Sequence, residues 1–202
     1  PQKRILLGLT LEELTTVVTE LGMPRFTARQ IAGWLYDKRV SEIDEMTNIS
    51  KANRLLLSEH FEVGRSLPIT SELSRDGTRK YLFRVRSGGL VEAVYIPEKD
   101  RATLCISSQV GCKMDCLFCM KGKQGFRGNL SAGEILNQVL SVEESPKLTN
   151  IVYMGMGEPL DNATNVLSSI SVMTASWGLG WSPKRITLST VGVRRGLERF
   201  LN

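Results

Sequence analysis

Over the first sixty residues apolar side chains recur at three- and four-residue spacing, the period of a helix with one buried face. Thr10 with Glu13 reads as a capping box ahead of Leu11, Leu14, Val17, Val18 and Leu21, and Thr27 with Gln30 as another ahead of Ile31, Trp34 and Leu35. A third segment, Ser50 to Phe61, presents Leu55, Leu56 and Phe61. Residues 1–66 are therefore expected to form a small helical accessory domain. The period then changes. Asp76-Gly77 and Gly88-Gly89 are turn dipeptides flanking KYLFRV, and GLVEAVYIP follows, which predicts a β-hairpin extension over 67–101. Its second strand is apolar on both faces, Leu90, Val94 and Ile96 on one and Val91, Ala93 and Tyr95 on the other, with Glu92 inside the run.

From residue 102 to 202 strand and helix patterns alternate. TLCISS, NIVYMG and RITLST read as strands; Ser131 and Glu134 cap a helix carrying Ile135, Leu136, Val139 and Leu140, a second helix is expected over about 162–176, and VRRGLERFL opens a third. Repeated βα units predict an α/β fold with a parallel sheet or barrel, whose ligands bind at the carboxyl ends of the strands. Every chemically suggestive motif lies just past such an end.

Composition narrows the classes. With 202 residues, 42% hydrophobic and 23% charged, the chain is neither disordered, collagen-like nor a coiled coil. No apolar run approaches the roughly 20 residues that span a bilayer, and the amino end, PQKRILLGLTLEEL, has acids where a leader would stay apolar, so a soluble, cytoplasmic protein without a membrane partner is expected. A net charge of +5, from 26 basic and 21 acidic residues, permits a nucleic-acid partner without requiring one. The four cysteines, Cys105, Cys112, Cys116 and Cys119, share one short window, a poor disulfide framework and a good metal site. Cys112, Cys116 and Cys119 form C-x3-C-x2-C, three thiolates that can hold three irons of a four-iron cluster and leave the fourth open. Spacing alone leaves a zinc site with Cys105 as fourth ligand open.

The cysteine loop together with GMGEP (Gly155 to Pro159) resembles the radical S-adenosylmethionine superfamily. The segments ELGMPRFTARQIAGWLY, VEAVYIPEKDRATLCISSQVGCKMDCLFCMKGKQGF, IVYMGMGEPLDN and RITLSTVGV narrow the likeness to the RlmN/Cfr-type family of radical methyltransferases, most closely its branch acting on adenine carbon 2 of 23S rRNA and tRNA. That resemblance implies an enzyme with a [4Fe-4S] cluster and S-adenosylmethionine as cofactors, 23S rRNA and tRNA as substrates, and an electron donor such as flavodoxin. It implies Cys112, Cys116 and Cys119 as cluster ligands, and Gly157, Glu158 and Ser189 as cofactor contacts. Glu92 is implied as the base that removes the adenine proton, and Cys105 as the thiol that forms a transient disulfide with a methyl-carrying cysteine. Carbon-8 methylation of the same rRNA, or a noncatalytic RNA- or metal-binding module, are the alternatives.

The residues keep plainer readings beside these. GMGEP suits a tight turn, Ser189 a helix cap, and Cys105 a small buried hydrophobe. Glu92 suits either an edge glutamate reaching solvent or, from its apolar run, a desolvated carboxylate with a raised pKa. Lys113, Lys121, Lys123 and Arg127 suit RNA phosphates or solvent, and His60 a polar helix end. The family barrel has six βα units, of which about three are counted here, and its methyl-carrying cysteine has no counterpart in this chain. The chain alone is therefore expected to be an inactive fragment that does not complete methylation, with an unpaired strand edge after its third βα strand that promotes association.

Overall fold

The protein is described by a computed structural model covering residues 2–114 and 125–201. The chain opens with a short strand, β1 (Arg4–Ile5), and then α1 (Leu11–Glu20), whose capping box forms as expected: the Thr10 hydroxyl receives the Glu13 amide and the Glu13 carboxylate receives the Thr10 amide. The second box does not form. Thr27 is itself the first residue of α2 (Thr27–Ala32) and is buried, because turn-type bonds from Thr27 and Ala28 back to Pro24 and Arg25 move the cap position one residue earlier, to Phe26. Gly33–Lys38 continues it as a π-helical turn. In α3 (Lys51–His60) the core residue is Leu57, while Leu55 points outward. β2 (Phe61–Glu62) then pairs in parallel with β1.

One six-stranded sheet organises the remainder: β3 (Thr70–Leu73), β4 (Arg79–Arg84), β5 (Leu90–Pro97), β6 (Ala102–Cys105), β9 (Asn150–Tyr153) and β10 (Ile186–Leu188), in the spatial order β10-β9-β6-β5-β4-β3. A small antiparallel pair, β7 (Gln109–Val110) with β8 (Gly128–Asn129), stands outside it. β6, β9 and β10 run parallel and are followed by α4 (Ala132–Ser141), α5 (Ala163–Thr174) and α6 (Arg194–Leu201), giving three βα units. The hairpin strands join this sheet directly, because β5 pairs antiparallel with β6.

Alternation gives the sheet two unlike faces. Tyr81, Phe83, Val91, Ala93, Leu104, Ile151 and Tyr153 are buried in a core continuous with that of the amino-terminal helices. The other face carries Lys80, Leu82, Leu90, Glu92, Cys105 and the exposed Met154, and stays open. Ser131 and Glu134 complete the predicted capping box of α4, whose hydrophobic side closes the covered face.

The helical part is fastened to this sheet layer by contacts that leave little slack. A Cβ placed on Gly133 would lie 2.2 Å from the Leu7 carbonyl oxygen, so backbone touches backbone where α4 meets the segment after β1. The Tyr36 hydroxyl accepts the Gly8 N–H at 3.1 Å and donates to the Leu9 carbonyl at 2.6 Å, and burial pushes its pKa up. Arg39 reaches Ser145 at 2.7 Å, and Arg65 reaches Ser141 and the Leu140 carbonyl, both at 3.1 Å, covering the end of α4. Burial draws both guanidinium pKa values down, for Arg39 with the help of the neighbouring Arg65 charge.

The Gly133 contact sets a test of this docking. Gly133→Ala is expected to lower the unfolding free energy by about 1–3 kcal/mol, the usual cost of overpacking, read as a lower urea midpoint at unchanged slope; an unchanged midpoint contradicts it.

Candidate active site at the carboxyl ends of the parallel strands

Three loops meet beyond β6, β9 and β10, and buried polar side chains join them. The chain leaves β6 through Ser107, Ser108 and Gln109, all essentially inaccessible. Such a polar run survives burial only if its groups are paired, and the three residues are tied to their surroundings. The Ser107 peptide exchanges bonds of 2.9 Å with the Gln138 side chain, while its hydroxyl donates to the Glu92 carbonyl at 2.6 Å and accepts the Met156 N–H at 2.9 Å. Met156 O receives the Ser108 and Gln109 amides at 2.8 and 3.2 Å. Gln109 accepts the Glu158 N–H at 2.9 Å and donates to Asn129 and Asp161, each at 2.8 Å. Asn162 donates to the carbonyls of Ser108 and Leu130, both at 2.8 Å.

This packing explains the glycines of GMGEP. Gly157 has φ +96°, and a Cβ there would fall 2.7 Å from the Gln109 nitrogen; one on Gly155 would fall 2.5 Å from the Ile106 carbonyl. The motif is a tight turn pressed against the exit of β6. Glu158 follows, only 4% exposed, with its carboxylate accepting the Leu160 and Val191 amides, each at 3.0 Å, and the Thr190 hydroxyl. Ser189 is exposed, beside Thr190 in the loop after β10. It caps no helix, since α6 begins at Arg194.

The cysteine loop is pinched at its base. β7 pairs with β8, and Gly111, at φ +75°, lies so close to Gly125 that a Cβ would meet the Gly125 carbonyl oxygen at 1.7 Å. Cys112 sits just past this neck, half-buried, with the Met114 N–H directed at its sulfur at 3.5 Å. Cys116, Cys119, Lys121 and Lys123 lie outside the described residues. Lys113 is exposed but already paired, 3.2 Å from Asp161 and 4.2 Å from the centre of the Phe126 ring, which leaves it less available to phosphate than its sequence suggests.

Glu92 lies on the open face, in a cavity of about 520 Å³ whose wall includes Leu82, Gly111, Arg127 and Met156. Its expected desolvation is corrected: 31% of the side chain remains accessible, and Lys80 Nζ stands 3.7 Å from Oε1. Both faces of β5 are apolar in sequence, but only one is covered, and Glu92 is on the other. Cys105 shares that face, half-buried and opposite Val94, hence diagonal to Glu92. Among the described residues there is no disulfide.

The geometry therefore gathers Glu92, Cys105, Cys112, Gly157, Glu158 and Ser189 around one end of the sheet. The donor set fits an iron–sulfur group in that Cys112 opens a pinched loop bearing the three spaced thiols, next to a cavity bounded by the GMGEP turn. Sequence reasoning missed Ser107, Gln109, Asn162 and Thr190. The legible signal was the polar run SSQ at the end of an apolar strand, where a barrel would ordinarily stay apolar.

Residues 5–63 match the family model described as the ribosomal RNA large subunit methyltransferase N-terminal domain, and residues 106–201 match the radical SAM superfamily. A probable dual-specificity RNA methyltransferase RlmN of Porphyromonas gingivalis is 63% identical over 99% of this chain and 56% of its own length. The corresponding Thermotoga maritima protein is 47% identical over 93% of this chain and 56% of its own. The chain belongs to the RlmN-type radical S-adenosylmethionine methyltransferase family. A crystal structure of a radical SAM methyltransferase from Sphaerobacter thermophilus superposes with a TM-score of 0.88 at 36% identity, covering 97% of this chain and 59% of that one. The α/β arrangement is thus a partial radical SAM fold, and the chain spans somewhat more than half the length of the RlmN-type relatives it matches.

In this RlmN-type site the Gln109 side chain joins three partners, Glu158, Asn129 and Asp161. Gln109→Leu keeps roughly the volume but strands the buried Glu158 amide and removes the donor to Asn129 and Asp161. Loss of about 1–3 kcal/mol of stability is expected, measured by chemical unfolding; a loss below a few tenths would show that water or neighbours replace the amide.

Proposed function

We propose that this chain forms the cluster- and cofactor-binding part of a radical S-adenosylmethionine methyltransferase acting on adenine carbon 2 in 23S rRNA and tRNA. The observation that carries the reading is the convergence of Glu92 on the open sheet face with the neck of the cysteine loop at Gly111 and the GMGEP turn at Met156, all lining one cavity. The dual-specificity description of its relatives supports both RNA substrates. No helix among the described residues is long and apolar enough to cross a membrane, in keeping with a cytoplasmic site of action.

Cys112, Cys116 and Cys119 would hold a [4Fe-4S] cluster, which supplies the electron for reductive cleavage of S-adenosylmethionine. The protein's own residues do the rest. The pinched neck fixes Cys112 relative to the sheet, and the Met114 N–H donates to its sulfur. Gly157, Glu158 and Ser189 line up at the ends of β9 and β10 to receive the cofactor's amino acid end. Glu92 takes the proton from adenine carbon 2, with Lys80 Nζ 3.7 Å from its Oε1 in the resting site. Cys105, diagonal to Glu92, is read as the thiol that forms a transient disulfide with the methyl-carrying cysteine during product release. Residues 1–66 act as the RNA-facing helical domain and 67–101 as the hairpin that brings Glu92 to residues 102–202. Electrons come from a flavodoxin-like donor.

Anaerobic reconstitution with iron and sulfide is expected to give a broad visible absorption and, with reductant, 5′-deoxyadenosine from S-adenosylmethionine. Cys112→Ala should abolish both, and zinc retained in place of iron would overturn the cluster assignment. The position of the methyl group is tested in cells lacking the gene: adenosine from 23S rRNA and tRNA should lose 2-methyladenosine by mass spectrometry, whereas loss of 8-methyladenosine would favour carbon 8.

A further inference from the structure

The Glu158 carboxylate spans two loops. Its Oε1 accepts the Leu160 N–H of its own turn at 3.0 Å and the Thr190 hydroxyl from the loop after β10; its Oε2 accepts the Val191 N–H at 3.0 Å. Thr190 Oγ1 in turn accepts the Gly192 N–H at 3.0 Å. On the other side the Glu158 amide is held by Gln109, two residues before the neck of the cysteine loop. Bonds to an ionised acceptor are roughly twice as strong as neutral ones, more so when the acceptor is buried, as this one is. Thr190 is exposed and contributes little to the core, so its hydroxyl is the informative part of the residue.

We propose that Thr190 is a positioning residue: with the Val191 amide it locks the loop carrying Ser189 onto Glu158 before any ligand binds. The inference rests on the reading of Gly157, Glu158 and Ser189 as cofactor contacts. Among the described residues Oε1 has two donors and Oε2 one, which leaves an acceptor position on Oε2 for an incoming ammonium. Glu158 thus serves the loop and the ligand with different oxygens. A loop held in advance loses less freedom on binding, which strengthens association without adding a contact to the ligand.

The test compares Thr190→Val, which keeps the shape and removes the hydroxyl, with Thr190→Ser, which restores it. In the cofactor-free chain, amide exchange at Val191 and Gly192 is expected to accelerate about tenfold in T190V and to stay at the unsubstituted rate in T190S. In the reconstituted chain, S-adenosylmethionine should bind about tenfold more weakly to T190V, with iron content and visible absorption unchanged, and T190S should restore binding. Unchanged exchange in T190V overturns the lock. Altered exchange with unchanged cofactor affinity overturns the positioning role. If the unsubstituted chain binds no S-adenosylmethionine while T190V still frees the loop, the lock stands and the cofactor reading fails.

Discussion

A buried glutamine and a buried glutamate hold the three strand-end loops in one arrangement. Gln109 sits at the exit of β6 and Glu158 at the exit of β9, and the bond between the Glu158 amide and the Gln109 side chain joins them. From Gln109 the connections run to Asn129 and Asp161 beside the cysteine loop; from Glu158 they run to Thr190 and Val191 after β10. Gln109 and Glu158 are out of water, so leaving either unpaired is costly. The requirement that all be satisfied together permits few loop arrangements, and the glycines at 155 and 157 let the backbones come close enough to meet it.

Against this fixed junction stands an open face. The covered side of the sheet is packed by α4, α5 and the amino-terminal helices, whereas the face bearing Glu92, Cys105 and Met154 has no layer over it among the described residues. Packing stabilises the first face, and the second is free to carry chemistry. Ser107 connects the two regimes, since one hydroxyl bonds both the Glu92 carbonyl on β5 and the Met156 amide of the turn. A shift of the GMGEP loop would therefore be felt at the backbone of the proposed base.

The docking of the helical part bears on the same geometry. Gly8 and Gly133 meet backbone to backbone, and Arg39 and Arg65 close the carboxyl end of α4. Because Gln138 of α4 also holds Ser107, the helical part and the strand-end loops are tied to the same helix. The amino-terminal helices are consequently part of the scaffold that holds the site.

Local patterns in the sequence determined a great deal. The boxes at Thr10 and Ser131, the turns at Gly77 and Gly88 and the three βα strands needed only residue type and spacing, because capping and period act within a few residues. The sequence also singled out the motif residues, Glu92, Cys105, Glu158 and Ser189 through family likeness and the cysteines through spacing. Thr27 misled, because Pro24 and Arg25 supply earlier turn bonds that a capping pattern does not reveal. Glu92 misled in its surroundings, because an apolar run on both faces of a strand does not say which face will be covered. Only tertiary structure decided that, and only it decided the partners of Ser107, Gln109 and Thr190. Hydrogen bonds across 30 to 50 residues of chain leave no periodic trace, and they form once the sheet has brought the strand ends together.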